Sequence, residues 1–160
     1  MAVRTGDRAP EFDLEVKQGE RVRLSELIGR SNVLLVFHPF AYTPVCEEEA
    51  QDLQENLESF RNAQTEIVFV ACEPAPARQA WKEEIGAEYV FASDFWPHGE
   101  AAKAYGVFNE TTGAPFRGTF LIARDGKVIW SLVKTRDERR TEMVPESLET
   151  VEALGVRSTR

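Results

Sequence analysis

The join at residues 32–46 constrains this chain more than any other stretch. Val33-Leu34-Leu35-Val36-Phe37 is unbroken apolar sequence, the pattern of a strand covered on both faces rather than one. Pro39-Phe40-Ala41-Tyr42-Thr43-Pro44-Val45-Cys46 follows at once. Thr43 reads as a helix N-cap and Pro44 as the first helical residue, where the missing N–H of proline costs nothing. A residue before proline is also biased away from helical dihedrals, as an N-cap must be. Cys46 then occupies the third helical position, where a capping box would place a glutamate. Helix N-termini favour negative charge and are among the environments that make cysteines nucleophilic. A buried strand leading into a helix with a thiol in its first turn is therefore expected at the heart of the fold.

The helix predicted from this start runs over 44–62, with Cys46, Ala50, Leu53, Leu57 and Phe60 on one apolar stripe. Cys46 should point inward along that stripe, at its exposed end. Glu47 and Glu48 lie off it and should face solvent, whereas Glu49 lies nearer and should pair with an arginine. Before this unit, Glu11–Val16 alternates, Gln18-Gly19 signals a hairpin, and Arg21–Leu24 returns. Ser25 begins a short helical turn. After it come an apolar strand over Glu66–Cys72, a helix opened by Pro74 and Pro76 running to Ile85, and a short strand over 89–92. A short helix over 99–105, a strand over Arg117–Ala123, a turn at Asp125-Gly126, a strand over Val128–Val133 and a helix over 145–154 complete the chain. Strands that alternate with helices in this way give an α/β layered fold with a central sheet.

Composition narrows the function. The 160 residues show no linker or repeat, so one domain spanning 1–160 is expected. A formal charge of −8 argues against nucleic acid or an anionic membrane as partner. No stretch approaches the roughly 18 apolar residues of a membrane span, and the opening residues lack the apolar core of a signal peptide. Two cysteines do not make a disulfide framework, so a reducing, cytoplasmic location is expected. Nor do two cysteines and two histidines, His38 and His98, show ligand-pair spacing for a metal.

The motif Pro39-x-x-x-Thr43-x-x-Cys46 after a buried strand, together with the strand order, resembles the peroxiredoxins, thiol peroxidases of thioredoxin-like fold. The resemblance runs from Gly6-Asp7-Arg8-Ala9-Pro10-Glu11-Phe12 to the final helix. A second block, Ser93-Asp94-Phe95-Trp96-Pro97-His98-Gly99 and Ala104-Tyr105-Gly106-Val107-Phe108-Asn109-Glu110, is similar to the alkyl hydroperoxide reductase E group, whose members are mostly one-cysteine enzymes. The resemblance implies a thioredoxin-like central mixed sheet flanked by helices, with an N-terminal hairpin. It implies Cys46 as the peroxide-reactive thiol, Thr43 as the hydroxyl that contacts peroxide and Pro39 as the cover of the pocket. It makes Arg117 the active-site arginine and Glu49 the polar residue beside it. His38 stands where the family accepts an aromatic or a histidine, and no role is attached to it. No cofactor is implied. The implied partners are a substrate among hydrogen peroxide, organic hydroperoxides and peroxynitrite, an external thiol or redoxin as reductant, and further copies of the chain in a homodimer or higher oligomer, with Phe95, Trp96 and Tyr105 near the subunit contact or in the core.

A thiolate that cleaves an O–O bond passes charge to the departing oxygen. Arg117, the Thr43 hydroxyl and the Cys46 N–H would act as fixed donors to it, and an arginine remains charged while bonding two acceptors. The product would be a Cys46 sulfenic acid. A resolving cysteine five residues on is absent, because Gln51 stands there, and Cys72 at a strand end reads as a small buried hydrophobe. A dithiol oxidoreductase would need a Cys-x-x-Cys pair, which Cys46 lacks. The alternative left open is a peroxide sensor or redox-linked chaperone that relays oxidation of Cys46 to a partner protein.

Overall fold

In the computed structural model, residues 2–158 are described, with side chains through Leu154. Nine strands and six helices follow one another along them. They are β1 (Asp13–Lys17), β2 (Glu20–Arg23), α1 (Leu24–Leu27), β3 (Asn32–Phe37), α2 (Pro44–Glu55) and α3 (Leu57–Asn62). Then come β4 (Thr65–Ala71), α4 (Ala75–Ile85), β5 (Val90–Ser93), α5 (Glu100–Ala104), β6 (Phe108–Asn109) and β7 (Ala114–Pro115). The chain closes with β8 (Arg117–Ile122), β9 (Val128–Lys134) and α6 (Met143–Ser158). Seven strands form one mixed sheet in the order β2-β1-β5-β4-β3-β8-β9. The β3–β4 and β4–β5 pairs are parallel, and β1, β8 and β9 add antiparallel. This is the thioredoxin-like sheet expected, with the N-terminal hairpin turning at Gln18-Gly19. Among the described residues no helix is long and apolar enough to cross a membrane.

The unbroken apolar run of β3 has a direct structural cause. Val33, Leu35 and Phe37 enter one core with Phe12, Leu14, Ala102, Tyr105 and Phe120, while Leu34 and Val36 enter the other. The second core holds Cys46, Ala50, Leu53, Leu57, Phe60, Trp81, Met143 and Val151, so α2, α3, α4 and α6 cover that face. A strand between two cores has no polar face to show.

Three expectations change. The single helix over 44–62 is two, broken at Asn56 (φ −109°, ψ 10°). The Asn56 side chain donates to the Asp52 carbonyl at 2.8 Å, the acceptor that its own N–H would use in a continuing helix. This local competition is why asparagine suits helix ends. The final helix is longer than read and starts at Met143. A small antiparallel pair, β6–β7, also lies in the 108–115 segment, where no strand was foreseen.

Candidate active site

The first turn of α2 starts as the sequence indicates, but with a different cap. Thr43 has extended dihedrals (φ −100°, ψ 146°) and Pro44 is the first helical residue. The Thr43 hydroxyl does not cap the helix. It donates to the Phe40 carbonyl at 2.7 Å and closes the loop on itself. The loop reverses at Tyr42, whose φ of +63° is a left-handed conformation costly for a bulky side chain. Among the described residues no side chain therefore bonds the first-turn N–H groups, which intrahelical bonds also leave free. With its hydrogen directed at Phe40, Thr43 presents lone pairs to a ligand, where the charge-stabilisation argument expected a donor.

Cys46 is fully buried, at 0 % exposure, and packs within the second core. The expectation that it would sit at an exposed end of its stripe does not hold. Pro39 on the preceding loop is buried too, as are Glu49 and Arg117. Glu47 and Glu48 face solvent as expected, and Glu48 meets the exposed Arg139 at 2.9 Å.

Glu49 is the hub of a buried ion cluster. Its Oε1 accepts from Arg117 Nη1 at 2.5 Å and from Arg140 Nη2 at 2.8 Å. Its Oε2 accepts from the Arg140 backbone N–H at 2.8 Å and from Arg140 Nε at 2.9 Å. Burial pushes the Glu49 carboxyl upward, but the hydrogen bonds and charges of Arg140 and the charge of Arg117 outweigh it, and the group settles below the usual carboxylate range. A buried carboxylate survives only with such pairing. Arg140 also reaches the Gly118 carbonyl at 3.1 Å and Thr119 Oγ1 at 2.8 Å. One helix, one strand and the loop before α6 are thus joined through a single side chain.

Two arginines against one carboxylate leave the cluster net positive. Arg117 sends Nε to the Arg136 carbonyl at 2.7 Å and Nη1 to Glu49. Its Nη2 makes no hydrogen bond among the described residues. Arg117 lines a pocket of about 290 Å³ with Pro39, Phe40, Thr43, Pro44, Val45, Arg136 and Asp137. Here the structure brings together Pro39, Thr43 and Arg117, with Glu49 behind Arg117 and Cys46 buried in the helical turn whose Pro44 and Val45 form part of the wall. An oxygen-rich ligand in this pocket meets a fixed cation, a hydroxyl acceptor and the positive end of α2.

Two arginines escaped the sequence reading. Arg140 lies 91 residues from Glu49 in a polar loop, so no local spacing marks it. Arg78, on α4, is fully buried and donates to the Ala92 and Phe69 carbonyls, to Glu73 Oε1 and to His38 Nε2, the last at 2.7 Å. Burial lowers its pKa to about 10, so it stays cationic at neutral pH. A guanidinium only donates, so Nε2 of His38 is the acceptor and Nδ1 carries the proton. Burial, then the charges of Arg78, Arg140 and Arg117, hold that imidazole well below its ordinary 6.5. His38 therefore has a structural partner the sequence reading did not give it. Cys72 is a buried free thiol, pushed up to about 12 by burial and by nearby Asp94 and Glu73.

The fold and this constellation define a thiol-based redox protein of the thioredoxin-like class. Residues 5–131 match the AhpC/TSA family model, and the chain belongs to that family, the peroxiredoxins, which are thiol-dependent peroxidases. Within it, the chain is 37 % identical over 137 residues to alkyl hydroperoxide reductase E of Mycobacterium tuberculosis, covering 86 % of this chain and 90 % of that one. It is 29 % identical to peroxiredoxin Bcp of Bacillus subtilis, over 97 % of this chain and 99 % of that one. Among solved structures, peroxidoxin BcpB from M. tuberculosis superposes with a TM-score of 0.84 at 28 % identity, covering 94 % of this chain and 97 % of that one.

Proposed function

We propose that this chain, as one domain over 1–160, reduces hydrogen peroxide and organic hydroperoxides through Cys46 in a one-cysteine cycle. The observation that carries the reading is Arg117, pinned by Glu49 and the Arg136 carbonyl with one nitrogen left for a ligand, in the pocket beside Thr43 and the first turn of α2. In the reaction, the Cys46 thiolate attacks one peroxide oxygen. An S–O bond forms as the O–O bond breaks, and the departing oxygen leaves as hydroxide or alkoxide that takes up a proton. Thr43 accepts from the peroxide O–H, while Arg117 and the Cys46 N–H stabilise the developing charge. Cys46 is left as a sulfenic acid. One external thiol displaces its hydroxyl as water to give a mixed disulfide, and a second thiol, free or on the same redoxin, breaks that S–S bond, forms a new disulfide with the first and frees the Cys46 thiol. Because Cys72 is buried and held as a thiol, it takes no part.

Support for a homodimer comes from Phe40, Tyr42, Phe95 and Trp96, the last 81 % exposed, on two neighbouring loops. Such aromatic surface is characteristic of interface cores. Tyr105, by contrast, is fully buried core. The test is to add one equivalent of peroxide to the reduced protein, trap sulfenic acid and map the adduct by mass spectrometry. Stoichiometric adduct at Cys46 with Cys72 unmodified is expected. A Cys46–Cys72 disulfide would overturn the one-cysteine cycle, and no modification at either thiol would overturn the peroxidase reading.

A further inference from the structure

The loop over residues 39–43 is fastened to the rest of the molecule by a carboxylate that the chemistry above leaves unused. Glu73 follows Cys72 at the end of β4. Its Oε2 accepts from the Ala41 backbone N–H at 3.0 Å, a hydrogen bond that ties the loop backbone to another element. Its Oε1 accepts from Arg78 Nη1 at 3.2 Å, and its backbone carbonyl accepts from Ser93 Oγ. Arg78 is a rigid support, since the Ala92 and Phe69 carbonyls hold its Nε and Nη2 in the interior and His38 shares Nη1 with Glu73. The tethered loop carries Pro39 and Thr43 at the pocket and the left-handed Tyr42. A bulky residue at positive φ persists only where surrounding contacts hold it.

Two demands conflict at Cys46. Reaction with a small peroxide needs Thr43 and Pro39 held at the pocket beside Arg117, which a fixed loop provides. Reduction needs a second thiol to touch a sulfur that is 0 % exposed. The loop and first turn must therefore move between the two steps. We propose that Glu73 is a positioning residue that latches the 39–43 loop closed over Cys46. The latched form reacts with peroxide, and release of the Ala41–Glu73 bond admits the reducing thiol. This rests on reading Cys46 as the peroxide-reactive thiol.

The latch makes opposite demands on two rates, which a purely structural role does not. In a Cys72→Ala background, the reduced protein is mixed separately with hydrogen peroxide and with dithiobis-nitrobenzoate, a bulky aryl disulfide. With the aryl disulfide, the Cys46 thiolate forms one S–S bond, breaks another and releases the coloured aryl thiolate. Glu73→Ala is expected to slow the peroxide reaction and speed the exchange, each by about tenfold, the scale of one hydrogen bond to a charged group. Glu73→Gln keeps a carbonyl for the Ala41 N–H and should stay within about threefold of the parent, the scale of a neutral hydrogen bond's weakening. Glu73→Asp keeps the charge but is one methylene short, so it should move both rates as alanine does, and it serves if the alanine variant fails to fold. The proposal is overturned if both rates are unchanged, if they move in the same direction, or if the glutamine variant matches the alanine one. A parent that ignores peroxide, with the aryl-disulfide rates still separating the variants, would overturn the peroxidase reading and leave the latch supported.

Discussion

Arg117 has three nitrogens and two fixed partners, and the unspent nitrogen gives the pocket its chemistry. Truncating it would remove both the charge and the fork geometry. Arg117→Ala is expected to lower the second-order rate with hydrogen peroxide by about 10²–10³, the usual cost of losing one preorganised donor to a developing anion. Stopped-flow mixing of reduced variant with peroxide measures this. Arg117→Lys should recover little, because an ammonium cannot bond Glu49, the Arg136 carbonyl and a ligand in one plane. The two cysteines differ by environment rather than by residue type. With the Cys72 thiol pushed up to about 12, almost none is thiolate at pH 8. Iodoacetamide at that pH should leave Cys72 unlabelled in native protein over a time that labels it fully in denaturant, as peptide mass spectrometry would show. The sequence made the placement of Thr43 before the helix and of Cys46 in its first turn legible through the Thr-Pro start. It could not show that the Thr43 hydrogen goes to Phe40, because that choice depends on the Tyr42 turn.

At the scale of elements, Glu49 couples α2 to β8 and to the loop before α6. Its folded pKa lies below its ordinary value of 4.5. A depressed carboxyl contributes stability that is fully present above the unfolded pKa and fades as pH falls through the folded one. Glu49→Gln should therefore lose about 3 kcal/mol at pH 7, the cost of breaking a buried pair. Its stability should also fall less steeply than that of the wild type as pH drops below 4.5. Urea titrations over pH 3–7 test both points. A steeper acid limb in the variant would contradict the assignment. Elements were legible where pattern and environment agree, as in β3, whose lack of alternation reports cover on both faces. They were illegible where one side chain decides, as at Asn56. The Arg140 contact stayed hidden because strand order, not spacing, brings it to Glu49.

On the scale of the whole molecule, the loop after β3 and the end of β5 are both fastened to Glu73, which accepts from the Ala41 N–H and from Ser93 Oγ. Phe40 and Tyr42 after β3, and Phe95 and Trp96 after β5, are exposed. Sedimentation velocity at micromolar concentration should find a dimer that Trp96→Glu converts to monomer, since a charge at the centre of an apolar contact is left unpaired. A monomeric wild type would remove the interface. Below this surface lies Trp81, fully buried, its indole N–H without a partner among the described residues, its ring 6.0 Å from that of Tyr42 and 5.4 Å from that of His38. Its surroundings are thus set on one side by the core, through His38, and on the other by the 39–43 loop, through Tyr42. On the proposed latch, opening of the loop lifts Tyr42 from the indole, so with Trp96 and Trp130 replaced by Phe the emission of Trp81 should time each half of the cycle without a dye.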